Sequence, residues 1–164
     1  MKTTLPLRYQ EEVPAPLWLQ AALLLGVVAP LAAILGSAVD GEDTWSLRAI
    51  FYPMMAVVAA LFVFSFVSFR RLRIAVNDDE MRFAFGMLRK TLPLAAIQPV
   101  EAKRYRWLTY GGWGIRHALG GRRAWSMPGV PEGVEITVAE GTRVRRYFVS
   151  SRSPELLAEA VRGR

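Results

Sequence analysis

The sequence predicts an α+β membrane protein, with two transmembrane helices followed by a domain of antiparallel strands that ends in one α-helix. Three observations support this fold class. Two long apolar stretches without charge occupy most of the first 69 residues. The rest of the chain alternates apolar and polar residues with the period of strands. The final segment, SPELLAEAVR, changes to the period of a helix.

Charge and hydrophobicity separate along the chain. Of the 164 residues 52% are hydrophobic, yet the formal net charge is +7. Only three of the 21 basic residues precede residue 70, against five of the 14 acidic residues. An apolar, slightly acidic part is therefore followed by a strongly basic part. The chain has no cysteine, which excludes a disulfide framework.

The two apolar stretches are each long enough to cross a bilayer. Residues 15–39 contain no charge over 25 positions, and residues 49–69 contain none over 21. At about 1.5 Å per helical residue they reach about 37 and 31 Å, against a hydrocarbon core of about 30 Å. They predict a transmembrane hairpin over 15–69, preceded by a cytoplasmic segment, 1–14. A cleaved signal peptide is the alternative for the first stretch, but its length and the acidic residues before it oppose this.

Basic residues predict the orientation of the hairpin. Arg70, Arg71 and Arg73 follow the second stretch directly, whereas the intervening DGEDTWSLR has three acidic residues and one basic residue. The positive-inside rule then places both termini in the cytoplasm of a multi-pass protein of the cell inner membrane. The same three arginines are candidate contacts with anionic lipid. Neither stretch contains a charged residue, which argues against a proton or ion pathway.

The first stretch has a face of small residues. Its members recur at spacings of four and three: Ala22, Gly26, Ala29, Ala33 and Gly36. Small residues allow helices to approach closely in lipid. We expect this face to pack against the second stretch, where Ala56 and Ala60 offer a matching surface; contact with another chain is the alternative.

After residue 69 the pattern is that of a sheet. Two runs of period two flank the polar turn NDDE, with apolar residues at Leu72, Ile74, Val76, Met81, Phe83 and Phe85. This is the signal of a β-hairpin. Further strand segments are predicted at 88–94, 100–108, 115–119, 123–127, 134–138 and 143–150. The expected fold of the domain has about seven short antiparallel strands.

The last segment predicts an amphipathic helix. Ser153 stands at a plausible N-cap, Pro154 at the first helical position and Glu155 in the first turn. The predicted apolar stripe, which should pack on the strands, consists of Leu156, Leu157, Ala160 and Val161.

This order of elements resembles the pleckstrin-homology-like (PH-like) domain, and the whole chain is similar to small bacterial membrane proteins with a helical hairpin before such a domain. The resemblance lies in LRIAVNDDEMRFAFG, RKTLPLAAIQPV, YGGWGIR, GVEITVAEGTRVRRYFV and SPELLAEAV. It implies that residues 70–164 form a PH-like antiparallel β-barrel capped by the C-terminal helix. It also implies binding or assembly rather than catalysis.

The glycine-rich segment YGGWGIRHALGGRRAW, residues 110–125, raises the question of a phosphate-binding loop. It contains neither a P-loop nor a complete G-x-G-x-x-G, and strands rather than a helix are predicted after it. The glycines are better explained by tight turns on either side of a short strand. A single histidine and no cysteine give no usual transition-metal site, and the acidic NDDE is expected to be a turn.

The sequence therefore predicts a non-enzymatic interaction module without a cofactor or metal. Arginine beside tryptophan is typical of protein-binding hot spots, and the candidate partner interface is Trp113, Arg116, Arg122, Arg123 and Trp125. The expected partners are the lipid bilayer and either a membrane or cytoplasmic protein or a second copy of the chain. A candidate contact surface for an anion consists of Arg116, His117, Arg122 and Arg123. The alternative function is that of a sensor or binder of anionic lipid headgroups. Nucleic acid is not expected.

Overall fold

The computed structural model describes residues 7–39, 45–140 and 143–163, which form two compact units. One unit is Pro16–Arg70. The other combines the residues up to Ala15 with those from Arg71 onward. The polar turn that was predicted to follow the first apolar stretch lies mostly outside the described residues.

The first unit contains two long helices, α1 (Leu17–Val39) and α2 (Trp45–Phe69). Each includes a 21-residue stretch that is long and apolar enough to cross a membrane, Leu17–Ser37 and Ala49–Phe69. Only 6% of each apolar stretch is buried, whereas the core helix of a soluble protein is mostly buried. The predicted pair of apolar helices is confirmed.

On the small-residue face of α1, the close approach to α2 is at Gly26. A Cβ built on Gly26 would overlap the ring of Phe62, so the glycine makes room for a large aromatic residue. The other four small residues of that face are exposed. On α2 the buried alanine is Ala59, whereas Ala56 and Ala60 are exposed, so the prediction that those two form the matching surface was wrong.

A strand that the sequence did not predict precedes α1. Strand β1 (Tyr9–Pro14) pairs in antiparallel fashion with β2 (Arg71–Val76), the strand that follows α2. Val13 of β1 is fully buried. Residues that were predicted to form a separate N-terminal segment therefore belong to the same sheet as the strands after the helices.

The first sheet has four strands in the order β1-β2-β3-β4, where β3 is Glu80–Phe85 and β4 is Leu88–Pro93. The predicted hairpin between β2 and β3 is confirmed. Its turn is held by Asn77, whose Oδ1 accepts hydrogen bonds from the backbone N–H groups of Asp79 (3.0 Å) and Glu80 (2.7 Å). An Asx-type turn of this kind explains the acidic run without a bound cation.

The second sheet has five strands in the order β5-β8-β9-β7-β6. They are β5 (Ile97–Arg104), β6 (Gly114–Ala118), β7 (Arg122–Ser126), β8 (Glu132–Glu140) and β9 (Arg143–Ser150). The β7–β9 pair is parallel, and the others are antiparallel. The expectation of an antiparallel barrel of about seven strands is corrected here: the described residues form nine strands in two sheets that are not closed. Strand β4 lies at the edge of the first sheet and β5 at the edge of the second, and the strand pairs of the described residues do not join them.

The core lies between the two sheets. Phe83 of β3 meets Trp125 of β7 edge to face at 5.1 Å between ring centroids, and Phe85 stacks on the same indole at 6.1 Å. Phe83 also contacts Tyr147 of β9. These aromatic pairs join the sheets face to face, in the geometry that aromatic rings favour.

The C-terminal helix α4 (Pro154–Arg162) packs on β5 and β8. Ser153 occupies the N-cap position as predicted, although its side chain makes no capping hydrogen bond. The buried residues are Pro154, Leu157, Ala158 and Val161. Leu156 is 58% exposed, so its predicted place in the apolar stripe was wrong. With 3.6 residues per turn, it points about 100° away from Leu157.

Candidate interaction surfaces

A short helix interrupts the chain between β5 and β6. The strand predicted over 100–108 ends at Arg104, and Trp107–Tyr110 form the single-turn helix α3. Gly111 ends α3 with φ of 75°, and its N–H donates to the carbonyl of Trp107 at 2.8 Å. A left-handed glycine commonly terminates a helix in this way.

Helix α3 rests on a buried aromatic cluster. The ring of Tyr105 lies 5.2 Å from that of Tyr110 and 4.8 Å from that of Phe148. The hydroxyl of Tyr105 donates to the carbonyl of Gly112, and that of Tyr110 donates to Glu135 Oε2 at 3.3 Å. Burial, assisted by the charge of Glu135, raises the pKa of Tyr110 to about 12. The Tyr110 hydroxyl therefore remains a hydrogen-bond donor at neutral pH and holds α3 to β8, whereas the Tyr105 hydroxyl holds the glycine turn that follows α3.

The glycine-rich segment forms the turns that the sequence predicted. Gly111 and Gly112 before β6 have φ of 75° and 118°, Gly114 at its start has φ of 89°, and Gly120 and Gly121 after it have φ of 74° and 73°. Residues with a Cβ rarely adopt these angles. Strands β6 and β7, which follow these glycines directly, form the predicted hairpin.

Exposed tryptophan and leucine side chains gather on the outer side of α3. Trp107 is 57% exposed, Leu108 78% and Trp113 36%. The ring of Trp113 lies 5.0 Å from that of Tyr105. Arg116 is exposed, and its Nε donates to the carbonyl of Trp113 at 2.9 Å. We call Trp107, Leu108, Trp113 and Arg116 the α3 surface.

Trp125 does not belong to an exposed interface, and its inclusion among the candidate partner residues is corrected. Its side chain is 8% exposed, because it lies between the two sheets against Phe83 and Phe85. Alternation along β7 places Trp125 on the inner face of the sheet. Composition alone could not distinguish it from Trp113.

Arg122 and Arg123 lie at the opposite end of the β6–β7 hairpin from Trp113. Both are partly buried, and the guanidinium of Arg123 lies 5.9 Å from the ring centroid of Tyr147. The register pairs Gly114 with Ser126 at one end of the hairpin and Ala118 with Arg122 at the other. The single predicted interface is therefore divided between two ends. Arg122 and Arg123 line a concave region around Gly120 and Gly121.

Two of the three candidate lipid-contact arginines have an acidic neighbour on β1. Arg71 Nη1 lies 2.9 Å from Glu12 Oε2, and Arg73 Nε lies 2.9 Å from Glu12 Oε1. Arg70 is exposed. The sequence did not reveal this pairing, because Glu12 precedes both apolar helices and the arginines follow them. The positive charge available to lipid at this position is smaller than the sequence suggested.

Glu11, the neighbour of Glu12, joins β1 to the start of α4. Its carboxylate accepts hydrogen bonds from the hydroxyl of Tyr9 (2.7 Å), the hydroxyl of Ser151 (2.6 Å) and the backbone N–H of Arg152 (2.7 Å). Burial raises the pKa of Tyr9 to about 12, with a further increase from Glu11. These bonds hold the N-terminal strand against the C-terminal part of the domain.

The sequence reasoning missed Trp107 and Leu108 because it assigned them to a strand. The signal that could have found them is the glycine pair after Tyr110, which favours the end of a helix.

Comparison of the chain with protein-family models, with curated proteins and with solved structures gives no match.

Proposed function

We propose that this protein is a membrane-anchored interaction module, in which α1 and α2 form a transmembrane hairpin and the α3 surface of a PH-like domain binds a protein. The partner is a membrane or cytoplasmic protein or a second copy of this chain. Our proposed location is the inner membrane, with the domain on the cytoplasmic face.

The observation that carries this proposal is the exposure of Trp107 and Leu108 on α3, next in the chain to the turn at which Arg116 bonds to the carbonyl of Trp113. Large apolar side chains on α3 remain in solvent although an aromatic cluster lies directly beneath the helix. Tryptophan and arginine are enriched in the residues that dominate binding energy at protein interfaces. Because Tyr105 and Tyr110 anchor the segment, binding would cost little additional ordering of the backbone.

The connection between the units supports an anchoring role. Strand β1 ends at Pro14, three residues before α1 begins, and β2 begins two residues after α2 ends. Short connections of this kind would keep the β-domain close to a bilayer that α1 and α2 cross. Three arginines at residues 70–73 support a cytoplasmic position through the positive-inside rule.

Site-specific photocrosslinking in cells of the native host tests the α3 surface. A benzophenone amino acid is placed at Leu108 of the full chain and, as a matched control, at Met87, which is exposed on the β3–β4 turn. We expect discrete protein adducts from position 108 after irradiation and none from position 87. An adduct of twice the chain's mass would identify a second copy as the partner.

The substitution Arg116→Ala, combined with the crosslinker at position 108, provides the second measurement. If Arg116 belongs to the interface, the yield of the protein adduct should fall several-fold. The control Arg89→Ala removes one exposed arginine from β4 and should leave the yield unchanged. The proposal is refuted if no protein adduct forms from position 108. It is also refuted if positions 108 and 87 give equal yields of protein adduct.

A further inference from the structure

We propose that the turn between β3 and β4 contacts the headgroup region of an anionic bilayer. We call this turn, which consists of Gly86 and Met87, the β3–β4 tip. The inference rests on that part of the proposed function in which α1 and α2 cross a membrane. It does not depend on the protein-binding role of the α3 surface.

The strand register places the β3–β4 tip at the end of the first sheet where the chain connects to the two long helices. Leu72 of β2 pairs with Phe85, which in turn pairs with Leu88, so the tip is level with the start of β2. On the other side of β2, Arg71 pairs with Pro14, the last residue of β1. The chain therefore runs into α1 and returns from α2 at the same end of the sheet as the tip.

Covalent connection keeps this end of the sheet near any bilayer that α2 crosses. Helix α2 ends at Phe69, two residues before Arg71, and two residues of chain span at most about 7 Å. The tip belongs to the neighbouring strand pair, and adjacent strands are about 5 Å apart. The headgroup region extends about 5–8 Å beyond the hydrocarbon core on each side. The tip is therefore within reach of the headgroups.

The side chains at the tip suit the boundary between headgroups and acyl chains. Met87 is 81% exposed, and the adjacent Leu88 is 39% exposed. Two-residue turns favour glycine, asparagine or aspartate, and Gly86, with φ of 53°, meets that preference. Turn geometry does not account for an apolar residue at position 87. Exposed apolar side chains next to basic ones are typical of elements that lie in a membrane interface.

The basic residues next to the tip lie on the outer face of the sheet. The register aligns Arg73 of β2, Ala84 of β3 and Arg89 of β4 in one row, and these three residues help to line a depression of ≈ 200 Å³. Arg89 is exposed and forms no ion pair with a described residue. Glu12 is shared between Arg71 and Arg73. Because one glutamate neutralises only part of this charge, an anionic headgroup would be attracted here.

The opposite end of the same sheet is acidic. The turn between β2 and β3 contains Asp78 and Asp79, both exposed, and Asp78 is paired with Arg8. The sheet therefore has an apolar, basic end where the chain connects to the helices and an acidic turn at the other end. An anionic surface attracts the first end and repels the second, so charge and chain connection favour the same orientation.

Fluorescence from a single label in the full chain tests the contact, because the chain has no cysteine of its own. Met87→Cys carries the environment-sensitive dye NBD, and Asp79→Cys is the matched control at the other end of the sheet. Both side chains are exposed, so neither change disturbs the core. The proteins are reconstituted into vesicles of phosphatidylcholine with about 30% phosphatidylglycerol, with or without a lipid that carries a spin label on its headgroup.

We expect the spin-labelled lipid to reduce NBD emission about twofold at position 87 and only slightly at position 79, because the six residues of β3 separate the two turns by about 20 Å. Quenching at position 87 should be weaker in vesicles of phosphatidylcholine alone. Arg89→Gln should weaken it in the anionic vesicles. Arg82→Gln, which removes the same charge nearer the acidic turn, should leave it unchanged.

Alkaline carbonate extraction of the same vesicles separates this inference from the proposed function. If the chain resists extraction but positions 87 and 79 are quenched equally, or neither is quenched, the tip contact is overturned and the membrane anchor stands. If carbonate releases the chain, α1 and α2 are not inserted, and both proposals fail. Unchanged quenching with Arg89→Gln, or an equal decrease with Arg82→Gln, would also overturn the contact with anionic headgroups.

Discussion

At the scale of single residues, Glu11 and Glu12 illustrate how position decides what a charge contributes. Both are acidic residues of β1, but the carboxylate of Glu11 accepts three hydrogen bonds from Tyr9, Ser151 and Arg152. Glu12 pairs with two arginines whose side chains are substantially exposed. A hydrogen bond to a charged group contributes about 1.5–3 kcal/mol, whereas an exposed ion pair contributes about 0–1 kcal/mol.

We therefore expect Glu11→Gln to lower the free energy of unfolding by about 1.5–3 kcal/mol, since an amide has only one oxygen to accept these bonds. The matched change Glu12→Gln should cost less than about 1 kcal/mol. Chemical denaturation of the full chain in detergent gives both values, and hydrogen exchange at Arg152 and Ser153 localises the effect. Equal losses for the two variants would show that Glu11 does not hold the N-terminal strand to the domain.

The same scale shows where composition misleads. The sequence correctly indicated that Trp113 and Arg116 lie together on the surface, because GGWGIR places them in a tight turn followed by a short strand. It could not indicate that Trp125 is buried. That outcome depends on Phe83 and Phe85, which belong to the other sheet and lie some 40 residues earlier in the chain.

At the scale of elements, local strands were predictable and distant pairings were not. The β2–β3 and β8–β9 hairpins were predicted because each has alternating residues around a polar turn. Strand β1 was not predicted because it contains Glu11 and Glu12 and because its partner, β2, follows only after both apolar helices. The parallel β7–β9 pair and the open edges of the sheets likewise depend on packing between distant segments.

Helix α4 provides a direct test at this scale. Leu157→Ala removes a fully buried side chain and should lower the free energy of unfolding by about 2–5 kcal/mol. Leu156→Ala, one residue earlier but exposed, should change it by about 0.5 kcal/mol or less. Denaturation of the two variants in the same detergent makes the comparison. Similar decreases in the free energy of unfolding for both variants would mean that Leu157 does not belong to the buried stripe of α4 that faces β5 and β8.

At the scale of the whole molecule, strand β1 constrains the topology independently of charge. Strands β1 and β2 pair along their lengths, from Tyr9 with Val76 to Pro14 with Arg71, and α1 and α2 lie between them in the chain. A single folded unit cannot occupy both sides of a membrane. If α1 and α2 cross the bilayer, the segment before them and the domain after them must therefore lie on the same side. The cytoplasmic side is the one that we propose for both, from the positive-inside rule.

Labelling of single cysteines tests this topology, and the chain contains no cysteine of its own. We expect an impermeant maleimide to label Gly41→Cys in intact spheroplasts, because position 41 lies in the acidic segment between the two apolar stretches, outside the described residues. Leu7→Cys, before β1, and Leu119→Cys, after β6, are exposed positions and should react only after permeabilisation. If positions 7 and 119 are labelled from outside and position 41 is protected, the orientation is opposite to the one proposed. Different behaviour of positions 7 and 119 would contradict the pairing of β1 with β2 across the hairpin, because that pairing requires both to lie on one side.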